Sequence, residues 1–291
     1  MTSFLRSPSQ IVNPLDRRRF IGFGSGTGGG GGGFVGPLDD YTANLSVMLL
    51  PFRGLSSYTG NAFRVRDTTG DAEQNIGFDP VTGDLAAFTV GGNAAVRWWY
   101  DQSGGARDVP QATAAAQPFL TTNIVNGQPV ARFDGTNDFL RGDCPNELGR
   151  TIYMVARMRS SVANVRLSND SLNGNASTYN TGSASYNYYS TAPNVVDPVG
   201  GTSTNWSMIA LKYSGGNTLA PYVNNTAATP FSTTAFYTTG TAYWLGSDQG
   251  GAGSFGPLDL AARLQYDVAH DNTTRQAIQT ILAAKFGITL A

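Results

Sequence analysis

Chemistry in this sequence has to come from carboxylates, and nearly all of them are aspartates. Only Glu73 and Glu147 are glutamates, one in an Arg-rich stretch and one in a turn after Pro145. Neither has an evident partner nearby in sequence. Cleaving a glycoside takes two carboxyl groups flanking the scissile bond, one of them often with a raised pKa. A hydrolase reading therefore depends on Asp pairs that meet in space. Nucleophilic Ser or Cys catalysis needs a His base. The one histidine, His270, stands at the entrance to a terminal helix, where a helix-end or surface role is expected. One His and one Cys (Cys144) exclude a two-His or Cys-based metal site and an intrachain disulfide within one chain. Asp79, Asp84, Asp134 and Asp138 lie in turns of the kind that supply oxygen to calcium. Their spacing matches no EF-hand loop, and turn formation is the ordinary use of Asp there. No cofactor is expected.

Binding chemistry has a second source. Residues 175–190, NASTYNTGSASYNYYS, set Tyr179, Tyr186, Tyr188 and Tyr189 among Asn, Ser and Thr. Aromatic faces stack on sugar rings, and small polar groups hydrogen-bond at low entropic cost. Tyr186 and Tyr188 would share one face of a strand. An exposed loop or a subunit contact explains the same composition equally well.

The elements that position these groups follow from composition and period. The chain has 291 residues, 19 basic against 20 acidic, and only 13% are charged. That balance argues against a nucleic-acid binder or a polybasic membrane-surface protein. No apolar run is long enough to span a membrane. Thirty-six glycines with abundant Asn, Ser and Thr suit a turn-rich β fold, since Gly and Asn tolerate positive φ.

Period two dominates from residue 38 to about 270. Leu260, Ala262, Leu264, Tyr266 and Val268 alternate with Ala261, Arg263, Gln265 and Asp267, predicting a half-buried strand. Ile209, Leu211 and Tyr213 likewise oppose Met208, Ala210 and Lys212. Segments 62–66, 96–101, 130–133, 151–158 and 241–246 also read as strands, joined by turns such as Asn126-Gly127 and Asp134-Gly135. Phe63 and Val65 should point inward, Arg64 and Arg66 outward. Val96, Trp98 and Tyr100 should share one face, Arg97, Trp99 and Asp101 the other. Ile278, Ile281, Leu282 and Phe286 repeat at helical spacing within 273–286, with Asp271 or Asn272 as N-cap and Gly287 as stop. The expected fold class is an all-β sandwich with a C-terminal amphipathic helix.

Residues 1–37 differ from the rest. Arg6, Arg17, Arg18 and Arg19 precede the tract Gly28–Gly33. Gly24, Gly26 and Gly29 satisfy GxGxxG, but no strand and helix frame it, which rejects a dinucleotide site. Arg17 to Ile21 has the look of a twin-arginine signal, yet glycines follow where an apolar segment belongs. The expectation is an extended anchoring arm and Gly-rich linker, with Phe4, Leu5 and Phe20 as apolar anchors and Arg17, Arg18 and Arg19 as a clamp, ahead of one domain at 38–291.

Three stretches then carry a resemblance. They are SSYTGNAFRVRDTTGDAEQNIGF (56–78), WWYDQSGGARDVPQAT (98–113) with VNGQPVARFDGTNDFL (125–140), and LQYDVAHDNTTRQAIQTILAAKFGI (264–288). Together they resemble the concanavalin A-like (laminin-G-like) jelly-roll domains of phage and bacterial surface proteins. The first two also resemble the opening of the arabinofuranosidase B catalytic domain, which uses the same sandwich. In that family the nucleophile is a Glu in a block resembling FDYGNAE. The corresponding stretch here, VRLSNDSLNGNAST (165–178), has no Glu and only one carboxylate, Asp170, and the family's paired cysteines are absent. The Asp101-Gln102-Ser103-Gly104 turn reads as an organiser of its loop.

The resemblance implies a phage virion protein: a capsid decoration, head fibre or tail-fibre-like sandwich held through its arm by a major capsid or tail protein. The reading at this level is a non-enzymatic protein displayed on the virion surface. It expects a homo-oligomer, a trimer being one form, host glycan as a ligand class, and neither nucleic acid nor membrane as partner. The alternative is a carbohydrate-binding module or an arabinofuranosidase-like glycoside hydrolase acting on host surface glycans.

Overall fold

Period-two segments become strands here, and most are buried on both faces. The computed structural model describes residues 33–90, 93–143, 149–160, 165–169, 176–180, 185–189, 204–214, 218–232 and 242–291. In chain order the strands begin with β1 (Leu45–Leu49), β2 (Phe63–Asp67), β3 (Glu73–Ile76), β4 (Ala94–Trp99), β5 (Val109–Pro110) and β6 (Phe119–Val125). Next come β7 (Gln128–Asp134), β8 (Leu140–Asp143), β9 (Arg150–Met158), β10 (Val165–Asn169), β11 (Ala176–Asn180) and β12 (Ser185–Tyr189). The last are β13 (Ser207–Ser214), β14 (Thr218–Val223), β15 (Thr226–Ala227), β16 (Phe231–Ser232), β17 (Ala242–Leu245) and β18 (Pro257–Tyr266), before helix α1 (Asn272–Phe286).

Hydrogen bonding orders β15-β14-β13-β9-β18-β7-β6 into a back layer, with β1 also on β18. A single pair, Ala95 with Phe119, hands the sheet from β6 to β4. From there β4-β2-β3 and β5 turn into the front layer, where β5 lies beside β8 of the second sheet, β12-β11-β10-β17-β8. Between the layers Phe63, Val96, Trp99, Leu140, Leu167 and Tyr243 of the front pack on Phe133, Ile152, Met154, Ile209 and Leu258 of the back. This is the expected all-β sandwich. Ordered packing starts before residue 38, since the Phe34 ring lies 4.7 Å from the Arg53 guanidinium.

A second apolar cluster covers the back layer's outer face. There Ile278, Leu282 and Phe286 of α1 meet Tyr153, Val155, Met208, Ala210 and Leu264, with Leu38, Leu50, Phe52 and Leu55 alongside. The helix starts where predicted: Asp271 Oδ1 accepts the Thr274 N–H at 2.7 Å, and Gly287 ends it at φ 65°. Central strands are thus covered twice, which corrects the expectation of half-buried ones. Ile209, Leu211 and Tyr213 enter the inter-layer core while Met208 and Ala210 face the helix side.

Two bulges overturn the predicted faces. Register shifts between Leu260 and Ala262 on β18, so Leu258 and Leu260 face the inter-layer core while Ala262, Leu264 and Tyr266 face the helix side. Arg263 and Gln265 therefore end fully buried, the Arg263 guanidinium 3.6 Å from the Tyr243 ring centre. On β4 the pairs Arg64–Trp98 and Val65–Val96 leave Arg97 extra. One extra residue inverts the alternation. Trp99, not Trp98, joins Val96 in the core.

Candidate functional site

The outward face of the front layer gathers the polar and aromatic groups. At its β2–β3–β4 end, register aligns Asn75, Arg64 and Trp98 in one row. Glu73, with no evident sequence partner, is clamped by Arg64 Nε at 2.5 Å and Arg97 Nε at 3.3 Å. Both guanidinium groups flank the Trp98 ring, at 5.7 and 5.3 Å from its centre. Tyr100 Oη donates to Asn75 Oδ1 at 3.1 Å. A carboxylate held by two arginines is fixed in place, which suits Glu73 to organising this surface.

The Tyr-Asp-Gln-Ser-Gly motif is a knot between loops. Asp101 Oδ1 accepts the Met48 and Ser103 N–H groups at 2.8 and 3.0 Å, and Oδ2 accepts Ser103 Oγ and the Arg107 N–H at 2.7 and 3.1 Å. Gln102 accepts from the Gly54 N–H and donates to the Leu50 and Phe52 carbonyls. All acceptor capacity of Asp101 is spent, as expected of a loop organiser.

The turn aspartates weighed for calcium are also engaged. Asp79 Oδ1 accepts the Val81 and Thr82 N–H groups, and Asp134 Oδ1 those of Thr136 and Asn137. Asp84 pairs with Lys285 at 2.6 Å. Asp138 accepts the Asp134 N–H at 2.8 Å, and burial pushes its carboxyl up to about 6. His270 is at the helix end but buried, not on the surface. Its Nδ1 lies 2.8 Å from Tyr153 Oη, and desolvation pulls it down to about 4.

The middle of the face is built by β8, β17 and β10. Arg141 and Asn169 are the cross-strand partners of Trp244, which points away from the core that holds Tyr243 and Leu245. Asn169 belongs to the block that resembles the nucleophile motif, and its Oδ1 is buried without a partner among the described residues. Beyond β17 the chain makes a tight knuckle. Gly246, at φ 82°, places its Cα where a Cβ would stand 2.4 Å from the Phe133 ring, and its N–H donates to the Leu167 carbonyl at 3.1 Å. The Asp248 N–H donates to the Gly253 carbonyl at 3.0 Å, and the Arg166 N–H to the Ser254 carbonyl at 2.9 Å.

Asp248 is therefore fixed in position beside β10, half-buried, with its carboxylate poorly satisfied. Among the described residues, Oδ2 receives only Ser254 Oγ at 3.4 Å, and Oδ1 is buried with no donor. A buried carboxylate oxygen left without a donor is costly and calls for a functional account. Sequence reading did not single this residue out. Its signal was one carboxylate inside the Gly-rich stretch 246–256 directly after a predicted strand.

The other predicted site residues have the following places. Tyr179 lies on β11 and Tyr186, Tyr188 and Tyr189 on β12; Tyr179 pairs with Tyr186, and Val165 pairs with Tyr179. The side chains of these tyrosines lie outside the described residues. So do Phe4, Leu5, Arg17, Arg18, Arg19, Phe20, Cys144, Glu147 and Asp170.

No family model matches the chain, and no curated protein matches it. Solved structures do. An arabinofuranosidase complexed with arabinofuranosyl-α-1,2-xylobiose superposes with TM-score 0.66 at 16% identity, over 87% of this chain and 65% of that one. A glutamate-to-glutamine variant of a GH54 α-L-arabinofuranosidase soaked with 4-nitrophenyl α-L-arabinofuranoside gives 0.62 at 14%, over 87% and 66%. A GH54 α-L-arabinofuranosidase soaked with a cyclic sulfate inhibitor gives 0.62 at 15%, with the same coverage. The chain thus spans just under two thirds of the length of these structures. Identity this low establishes the fold: the arabinofuranosidase-type β-sandwich.

These neighbours correct the expectation of a non-enzymatic protein. That expectation rested on a missing Glu and missing cysteines, yet the sandwich is shared with glycoside hydrolases, and Asp248 supplies a carboxylate outside the block in which one was sought. The phage-protein side of the resemblance finds no counterpart among these structures.

Proposed function

We propose that this chain acts on glycosides as an arabinofuranosidase-like hydrolase, with Asp248 as one of its two working carboxyl groups. The observation that carries the reading is the unpartnered Oδ1 of Asp248, on a knuckle held rigid by Gly246, Gly253 and Ser254. Two carboxyls on opposite sides of a sugar ring suffice for cleavage, one giving a proton to the leaving oxygen and the other attacking or activating water. Asp170, in the block that resembles the nucleophile motif, is the partner to test. The tyrosine positions of β11 and β12 belong to the same layer and are proposed to bind the sugar.

Release of 4-nitrophenol from 4-nitrophenyl α-L-arabinofuranoside tests this. Asp248→Asn and Asp170→Asn are each expected to lower kcat at least about hundredfold. Tyr186→Ala with Tyr188→Ala is expected to raise KM. A wild type that cleaves no aryl glycoside, furanoside or pyranoside, overturns the reading. The virion setting stays a proposal about residues 1–37: deleting them should abolish incorporation into particles, and unchanged incorporation sinks it.

A further inference from the structure

The outward face of the back layer carries a charge cluster that the front-layer site does not use. Asp259 alternates with Leu258 and Leu260, which face the inter-layer core, so its carboxylate stands on the other side of β18, fully buried. Register flanks it with Arg132 of β7 and Arg157 of β9. Arg132 Nε donates to Oδ1 at 2.7 Å and Nη2 to Oδ2 at 3.0 Å. Arg157 Nε and Nη2 reach Oδ2 at 3.0 and 2.9 Å. Arg159 Nε lies 3.5 Å from Oδ1, and its Nη2 donates to the Phe133 carbonyl. The Trp206 ring, 4.9 Å from the Arg157 guanidinium, walls one side.

One carboxylate thus sits among three guanidinium groups. A single bidentate arginine satisfies a buried carboxylate; a second and third add like-charge repulsion at close range. Each arginine remains exposed, by 28, 30 and 30% of its side chain. Among the described residues nothing accepts a hydrogen bond from any of the three Nη1 groups. Nearby Asp134 and Asp138 spend oxygens on the N–H groups of Thr136, Asn137 and Asp134. Three guanidinium groups around one buried carboxylate, held rigid from below with Nη1 donors still free, are an arrangement that recognises oxyanions through planar forks.

We propose that Arg132, Arg157 and Arg159 form a site for a tetrahedral oxyanion, taken either as free phosphate or as a sulfate or phosphate ester on a glycan, with Asp259 holding the forks in place. The site is on the layer opposite Asp248 and stands whether or not the hydrolase reading does.

The test is calorimetric titration of the full chain at constant ionic strength with inorganic phosphate, dextran sulfate and unmodified dextran. Binding of phosphate, of dextran sulfate, or of both supports the site and separates a free ion from an ester. The Arg157→Gln/Arg159→Gln pair is expected to weaken binding at least about tenfold. Because removing two partners of a buried carboxylate threatens folding, an Arg157→Lys/Arg159→Lys pair keeps the charges and loses only the forks. It is expected to bind several-fold more weakly with an unchanged circular dichroism spectrum. No binding of phosphate or dextran sulfate by the wild type, equal binding of unmodified dextran, or full affinity in the Lys pair overturns the proposal.

Discussion

Asp101 and Asp248 look alike in sequence, each a lone carboxylate in a Gly- and Ser-rich turn after a strand. Among the described residues, the Asp101 carboxylate accepts four hydrogen bonds and that of Asp248 receives one long one. Opposite responses to substitution follow. Asp101→Ala strands buried N–H groups and should cost about 3 kcal/mol or more in urea unfolding. Asp248→Asn removes an under-solvated charge and should leave the unfolding midpoint unchanged or raised while hydrolysis collapses. A fall in stability matching that of Asp101→Ala would make Asp248 a structural residue. The role of Asp101 was legible because a turn Asp followed by small polar residues caps its own loop. Asp248 was not, because whether a carboxylate is satisfied depends on donors brought in by β10 and the 253–254 turn.

At the scale of elements, the helix was readable to its caps, since capping is a local matter between residues three or four apart. Asp271→Ala should cost about 1 kcal/mol through the lost bond to the Thr274 N–H. Gly287→Ala should cost about as much, because φ is 65° there and a Cβ would come within 3.2 Å of Asn126. Thermal unfolding of the two single variants checks both. The locations of β2, β4, β7, β9, β13, β17 and β18 were also legible, but strand faces were not. The bulges at Arg97 and Ala261 decide that Trp99 is core, Trp98 surface, and Arg263 interior. Period two cannot reveal a bulge, because the extra residue is defined only by the partner strand it fails to match.

At the scale of the whole molecule, two buried titrating groups oppose each other. His270 has its pKa depressed to about 4, so the folded state binds fewer protons than the unfolded one and stability rises with pH from about 4 to 6.5. Asp138 has its pKa raised to about 6, so stability falls as pH rises from 3.8 to about 6. Each contributes on the order of 2–3 kcal/mol, with opposite sign over nearly the same window. Asp138→Asn should gain stability relative to wild type on going from pH 4 to pH 7. His270→Asn, less stable at pH 7 for want of the Tyr153 contact, should lose less than wild type on acidification to pH 4. Parallel melting curves across that range would refute both assignments. By itself the sequence determined an all-β fold class, its terminal helix and the turn chemistry, because these rest on local periodicity and on contacts between residues near in sequence. Only the tertiary structure decided which face each strand turns to the core, that Asp248 keeps an oxygen unpaired among the described residues, and that Arg132 of β7, Arg157 of β9 and Arg159 just past β9 crowd one aspartate on β18. Those outcomes depend on cross-strand register, and register is a property of paired strands rather than of any one of them.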